Sequence, residues 1–216
     1  MTNSLYTIRE LKLENGVIKP IMNFNDFSEI IDIFKEPPFS EPLTDDDKIN
    51  EYAGYLKNGL ALGYYSNEGE IMGYAGIMKE VEDEHAPYFN SGVSSLSPFY
   101  IYGLATKAKY RGHGICSTLV NYTEYIAKQI DVDFIYLRIN EEGSMSEDLC
   151  RKQGFNDLYQ DGKKVVQAVE FERNNPDVPS VDNRCFLIKP ITENGNDFIT
   201  KTASRRSKAK VLRKIK

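Results

Sequence analysis

Apolar positions change their period several times along this chain, and each change marks an element. Leu5 to Leu13 reads as a strand, Asn15-Gly16 as a tight hairpin turn and Val17 to Met22 as a second strand. Phe27, Ile30, Ile31 and Phe34 then recur at helical spacing behind Asn25 or Asp26 as the cap, and Pro37-Pro38 ends the helix in a loop. Thr44 caps a second helix with three aspartates in its first turn, where the helix dipole favours negative charge, and Asn58-Gly59 closes it. Leu60 to Tyr65 and Glu70 to Lys79 are strand-like around the turn Ser66-Asn67-Glu68-Gly69. A polar connection, Glu80 to Pro98, leads into the aromatic-rich strand Phe99 to Thr106.

After a short glycine loop, Ile115, Leu119, Tyr122 and Ile126 form one apolar helical stripe, followed by an apolar strand, Phe134 to Ile139. Strand, helix and strand predict a right-handed crossover with the two strands parallel, while the hairpins around it make the sheet mixed. Ser146 to Lys152 is a short helix with Gly154-Phe155 as its exit, and Asp157 to Gln160 with Lys163 to Glu172 reads as a hairpin around Asp161-Gly162. Beyond Arg173 the text is loop-like apart from one strand, Arg184 to Ile188, and little after Pro190 is expected to pack. The expected division is a domain over 1–172, with 1–16 as an extra N-terminal strand, and a C-terminal extension over 173–216.

Composition narrows the class. Hydrophobic content of 41% and charged content of 27% are ordinary for a globular protein that can bury a core. No run of apolar residues is long enough to span a membrane. Met1 to Glu10 lacks the apolar segment of a secretory signal, and three cysteines suit a reducing compartment better than a disulfide framework, so a cytoplasmic location is expected. The net charge of −5 is uneven: the tail 201–216 holds eight Lys/Arg and no acid, leaving 19 basic against 32 acidic groups in the body.

The chemistry concentrates in Arg111-Gly112-His113-Gly114-Ile115-Cys116, between the strand ending at Thr106 and the helix through Leu119. A helix N-terminus presents backbone N–H groups and partial positive charge, and glycines remove the Cβ atoms that would keep an anion away. Ser117 and Thr118 add hydroxyls in the first turn. These features point to an anion such as phosphate, although a tight turn that merely needs glycines competes with that reading. A P-loop would end in Gly-Lys-Ser/Thr and a dinucleotide fingerprint would carry a third glycine; Cys116-Ser117 supplies neither.

Leu104 to Ile115 resembles the acetyl-coenzyme A-binding segment of the GNAT N-acetyltransferase superfamily, whose loop pattern Gln/Arg-x-x-Gly-x-Gly/Ala is met by Arg111, Gly114 and, as a departure, Cys116. Downstream, Leu149-Cys150-Arg151-Lys152-Gln153-Gly154-Phe155 is similar to the family's Leu-Tyr-x-Lys-x-Gly-Phe segment, and the order of elements agrees from Val17 to Phe171. The resemblance implies a mixed α/β fold: a mostly antiparallel twisted sheet with a central parallel βαβ crossover and helices on both faces. It also implies that the backbones of Leu104 and Thr106 pair with pantetheine, that backbone N–H groups from Gly112 through His113, Gly114, Ile115 and Cys116 to Ser117 hold the pyrophosphate, and that Arg111 shapes the loop. Asn140 is a further expected contact.

Acetyl transfer to an amine requires loss of the amine's proton, a donor to the thioester oxygen and a proton for the departing thiolate. Cys150 stands where family members often carry a tyrosine acid, and the alternative reading is a small core residue, with Tyr159 as a substitute. Tyr100 stands where some members carry a glutamate base, with Tyr102 two residues on along the same face. Glu80, Glu82, Asp83, Glu84 and His85 could receive the proton or attract a cationic substrate, or form a solvated acidic loop. No grouping has metal-ligand spacing, so no metal is expected.

The expected activity is therefore N-acetyltransfer from acetyl-coenzyme A to a primary amine of a small molecule or protein. A non-catalytic coenzyme A-binding module is the first alternative. The second is a nucleic-acid- or ribosome-associated protein acting through the polyanion-attracting tail 201–216, without membrane contact. The acceptor is expected near Pro37-Pro38-Phe39, Glu82 and Tyr159, and the strand Leu5 to Leu13 or the segment around Phe186 could cover a sheet edge or pair a homodimer.

Overall fold

Successive side chains of each strand fall in different apolar clusters, which is how one sheet supports helices on both faces. The computed structural model describes residues 8–35, 43–81, 83–89, 93–140, 145–160, 162–171 and 180–204. The chain runs β1 (Leu11–Leu13), β2 (Gly16–Pro20), α1 (Phe24–Ile31), α2 (Asp45–Asn58), β3 (Gly59–Tyr65), β4 (Ile71–Met78), β5 (Pro98–Thr106), α3 (Ile115–Gln129) and β6 (Phe134–Asn140). It continues through α4 (Met145–Lys152), β7 (Asn156–Asp157), β8 (Tyr159–Gln160), β9 (Lys163–Lys164), β10 (Val166–Phe171), β11 (Ser180–Pro190) and α5 (Glu193–Ser204). The main sheet has the order β1-β2-β3-β4-β5-β6-β11-β10, with β7 attached to β11, and β8–β9 is a separate ladder. Its pairs are antiparallel except β5–β6, the parallel pair that the α3 crossover creates.

Along β4, Tyr74 joins one cluster and Ala75 another; along β5, Phe99 and Tyr100 divide in the same way, as do Ile135 and Tyr136 of β6. One face takes α3 and α4 through Ile115, Leu119, Ile126 and Cys150. On the other face α1 and α2 cover the β2–β5 half through Phe27, Ile30 and Tyr55. A separate cluster there, built on Phe89, Tyr100, Tyr136, Phe186 and Phe198, covers the β5–β11 half.

Local chemistry explains the helix starts. The capping box of α2 is complete, with the Thr44 side chain accepting from Asp47 N and the Asp47 carboxylate from Thr44 N. At α1 the cap is Asn23, not Asn25 or Asp26: its Oδ1 accepts from Asp26 N at 2.9 Å. The spacing reading was displaced because Phe24 already lies on the helix.

Four further expectations are corrected. Of the strand expected over Leu5 to Leu13, residues 5–7 lie outside the described residues; β1 runs from Leu11, and residues 8–10 lead into it, tied to α3 by the Tyr122 hydroxyl donating to the Arg9 carbonyl. The hairpin expected between Asp157–Gln160 and Lys163–Glu172 reduces to the β8–β9 ladder, while β10 pairs antiparallel with β11. The segment after residue 172 is not an appendage: β11 is much longer than Arg184 to Ile188 and lies between β6 and β10 inside the sheet. The chain beyond Pro190 also packs, since α5 stacks Phe198 on Phe134 with ring centroids 5.7 Å apart. Asp133 fastens that end: Oδ1 accepts from Thr192 Oγ1 at 2.7 Å, Oδ2 from Ser97 N at 2.8 Å, and its carbonyl from Ile191 N at 2.9 Å. Polar text hid α5 because a few buried positions, Gly195, Phe198 and Thr202, suffice to dock it.

Candidate functional site

The parallel register between β5 and β6 covers Pro98↔Phe134, Phe99↔Ile135 and Tyr100↔Tyr136. Past that point β5 stays with β4 as far as Gly73↔Thr106, and β6 stays with β11 as far as Arg184↔Asn140. Each strand keeps its outer partner, so the sheet opens between them. The β4–β5 register shifts at the opening, from Gly76↔Gly103 to Ile77↔Ile101, skipping Tyr102. Such a bulge bends its strand and re-aims a side chain. Tyr102 is accordingly 48% exposed, while Tyr100 beside it is buried.

The glycine loop follows the open end of β5. Arg111 Nε donates to Thr106 O at 3.3 Å, and Thr106 Oγ1 lies 3.1 Å from Cys116 Sγ, so the loop folds back on the strand's last residue. His113 Nδ1 lies 3.2 Å from Tyr110 O and 3.0 Å from Arg111 O, which ties the imidazole to the loop's own turn. Gly112 and Gly114 adopt left-handed φ of +81° and +77°, and a Cβ at either would meet nothing within 4 Å. Both glycines thus serve backbone shape and open space rather than protein packing. Gly114 is the N-cap of α3 and makes no side-chain cap to the first-turn N–H groups. Ile115 presses on β4 where residue 73 is glycine: a Cβ there would lie 2.4 Å from Ile115 Cγ2.

An ion network fixes the approach to the loop. Lys109 Nζ lies 2.6 Å and Lys107 Nζ 3.6 Å from Glu70 Oε1, and the Tyr110 hydroxyl donates to Glu70 Oε2 at 2.6 Å. The Lys109 and Tyr110 donors hold the Glu70 carboxyl down at about 2.

On the face opposite α3, the opening carries a polar group in which Tyr100, Glu84 and His85, expected from the sequence, meet Arg138 and Gln167, which were not. Arg138 Nε donates to the Tyr100 hydroxyl at 3.1 Å, and its Nη1 lies 2.8 Å from Gln167 Oε1 and 3.1 Å from Glu84 Oε1. His85 is buried with its ring 4.9 Å from that of Tyr100, and its Nε2 lies 3.1 Å from the same Glu84 oxygen. Burial, and secondarily the Arg138 charge, push His85 down to about 3, so it is neutral at pH 7. The available signal was the arginine within the otherwise apolar run Phe134 to Ile139.

The candidates thus fall into separate environments. Leu104, Thr106, Arg111 and the loop to Ser117 adjoin the opening from the β5 side, and Asn140 ends β6 across it. Tyr100 and Tyr102 lie on the face away from α3, their rings 5.9 Å apart. Cys150 lies in the α3-side core, 1% exposed, and burial, reinforced by Cys116, pushes its thiol up to about 12. Giving a proton to an ordinary thiolate would run uphill from there. Tyr159 is on β8 beside α5, next to Leu158 of the cluster opposite Cys150, and its own side chain is exposed. Pro37-Pro38-Phe39, Glu82 and tail residues 205–216 lie outside the described residues. A separate cavity of about 360 Å³, lined by Ile21, Met22, Tyr52 and Leu56 among others, takes no residue from the loop or β5. Among the described residues no helix is long and apolar enough to cross a membrane, and no group of three or more His, Cys, Asp or Glu could hold a metal.

This arrangement has counterparts in solved structures. An N-acetyltransferase from Staphylococcus aureus Mu50 superposes with a TM-score of 0.59 at 15% identity, covering 83% of this chain and 100% of that one. NAA60 of Arabidopsis thaliana, in complex with a bisubstrate analogue, gives 0.59 at 17% identity over 80% and 96% of the two chains. The ribosomal-protein-S18-alanine N-acetyltransferase of Escherichia coli gives 0.58 at 11% identity over 81% and 93%. At these identities the likeness is one of fold. No curated protein matches the chain in sequence. A model of the acetyltransferase (GNAT) family matches residues 25–155, the stretch that runs from α1 through the open strands and the glycine loop to the end of α4, and the chain belongs to that family.

Proposed function

We propose that this chain is an N-acetyltransferase that moves acetyl from acetyl-coenzyme A to a primary amine by direct attack in a ternary complex. The carrying observation is the opening between β5 and β6 with, at its end, a helix N-terminus fronted by two left-handed glycines that leave open space. Acetyl-coenzyme A supplies the activated thioester. Backbone N–H groups from Gly112 to Ser117 suit its pyrophosphate, Arg111 holds the loop to Thr106, and Leu104, Thr106 and Asn140 border the opening that suits pantetheine.

For the chemistry, Tyr102, a half-exposed side chain at the bulge, is the candidate donor to the thioester oxygen or the leaving thiolate. Tyr100 is a positioning residue that orients Arg138. The amine's proton leaves through the exposed Glu84 side, since neutral His85 is a poor acceptor at its depressed value of about 3. Burial of Cys150 favours keeping a second reading in view, a coenzyme A-binding module without turnover, because it removes the sequence's candidate acid.

Calorimetric titration with acetyl-coenzyme A, beside a Gly114→Glu variant, tests the cofactor; coenzyme A release with a panel of amines tests turnover. Micromolar binding lost in the variant, with amine-dependent release, supports the enzyme. Binding without release supports the module, and no binding by the intact protein overturns both.

A further inference from the structure

Glu51 of α2 sits above the β4–β5 bulge, on the face where Tyr102 is exposed. Its Oε1 accepts from the Tyr55 hydroxyl at 3.1 Å and lies 3.2 Å from the Tyr74 hydroxyl, which donates to Tyr55 Oη at 2.6 Å. Tyr55 and Tyr74 are 2% and 0% exposed, so two phenols have been carried into an apolar cluster together with their hydroxyls. Buried hydroxyls cost stability unless bonded, and the fold makes specific room for these. A Cβ at Gly76 would lie 2.1 Å from Tyr55 Oη and 2.2 Å from Tyr74 Oη, and one at Gly103 would lie 2.8 Å from the Tyr74 ring. Two mid-strand glycines, poor strand residues in themselves, are thus used to seat the pair at the bulge.

The group has a one-sided chemistry. Burial raises both phenols well above their ordinary value, so each keeps its proton, and both protons are spent within the cluster. What the cluster presents is therefore the Glu51 carboxylate beside aromatic ring faces. The Tyr102 ring meets Tyr55 at 6.4 Å, and the Phe34 ring meets Tyr74 at 6.4 Å. A half-buried carboxylate walled by aromatic rings suits an ammonium group, which brings N–H donors, positive charge and attraction to ring faces together.

An amine must be neutral to attack the thioester, so charge retained beside a carboxylate belongs to a nitrogen that does not react. We propose that Glu51, with Tyr55, Tyr74 and Tyr102, forms the acceptor-specificity subsite of this enzyme and holds a second, non-reacting ammonium of an alkyl diamine or polyamine substrate. The inference rests on the acetyltransferase reading and names its substrate class.

The test titrates the full chain, saturated with coenzyme A, with 1,4-diaminobutane and with butane-1,4-diol, in the intact protein and in Glu51→Gln. The glutamine retains a carbonyl to accept from Tyr55 but carries no charge. Binding of the diamine and not the diol, weakened about tenfold or more by the substitution as for a lost charge-assisted hydrogen bond, is the expected result. Tyr102→Ala, which changes an exposed side chain, should weaken the diamine as well and guards against a folding defect in the first variant. Equal binding of the diamine by the intact protein and Glu51→Gln, or none by either, overturns the proposal. The coenzyme A titration separates the two failures: a protein that takes coenzyme A but ignores the diamine loses only the subsite, and one that does not take coenzyme A loses the enzyme reading.

Discussion

Arg138 Nε donates to the Tyr100 hydroxyl at 3.1 Å, bridging β6 to β5 just past their last paired residues, Tyr100 and Tyr136. One hydrogen bond from a charged donor thus spans the strands where the sheet begins to open. Beneath it the Tyr100 and Tyr136 rings stack with centroids 4.6 Å apart, so the closed side of the opening is stiff while the other side is unpaired.

Replacing Tyr100 by Phe keeps the stack and deletes that bond. The expected loss is about 1.5–3 kcal/mol of unfolding free energy in urea melts, with acetyl-coenzyme A affinity unchanged. A large loss of turnover at unchanged stability would instead make Tyr100 a group that touches substrate.

Gly112 and Gly69 make a matched pair. Both hold left-handed φ, +81° and +88°, and at both a Cβ would meet nothing within 4 Å. Alanine at either position should cost about 1–2 kcal/mol of stability from backbone strain alone. Only Gly112→Ala should also weaken acetyl-coenzyme A, measured calorimetrically. Equal affinities in the two variants would remove the loop from the binding site.

Cys150 should be chemically silent. With its thiol pushed up to about 12 by burial, native protein at pH 8 should resist iodoacetamide at this residue while urea-unfolded protein reacts, as read by peptide mass. Cys150→Ala should cost about 1 kcal/mol and leave coenzyme A release in place. Abolished release in a folded Cys150→Ala protein would restore it as the acid.

His85 predicts acid sensitivity. Its folded value, about 3, lies below the ordinary value of 6.5, so under pH 6.5 the unfolded chain binds a proton that the folded chain refuses. Stability is therefore full above pH 6.5 and falls as the pH drops toward 3. Urea midpoints at pH 7.5 and 5.5 sample the window before most carboxylates titrate. The intact protein should lose stability across it, and His85→Phe, which retains the ring contacts to Tyr100 and Phe186, should lose less. Parallel losses in both proteins would place the titrating group elsewhere.

The sequence by itself determined what depends on neighbours in the chain. Helix caps such as Thr44–Asp47, the apolar stripe of α3, and the left-handed glycines before it are local rules acting over a few residues, and together they placed the crossover and its loop. Only the tertiary structure decided pairings between distant segments. That β11 inserts between β6 and β10 depends on contacts such as Arg184↔Asn140, across more than forty residues, which no local period encodes. The burial of Cys150, the meeting of Arg138 with Glu84, and the seating of Tyr55 and Tyr74 against Gly76 have the same origin. A titratable group's chemistry follows the desolvation and charge around it, and those are assembled by the fold from segments far apart in sequence.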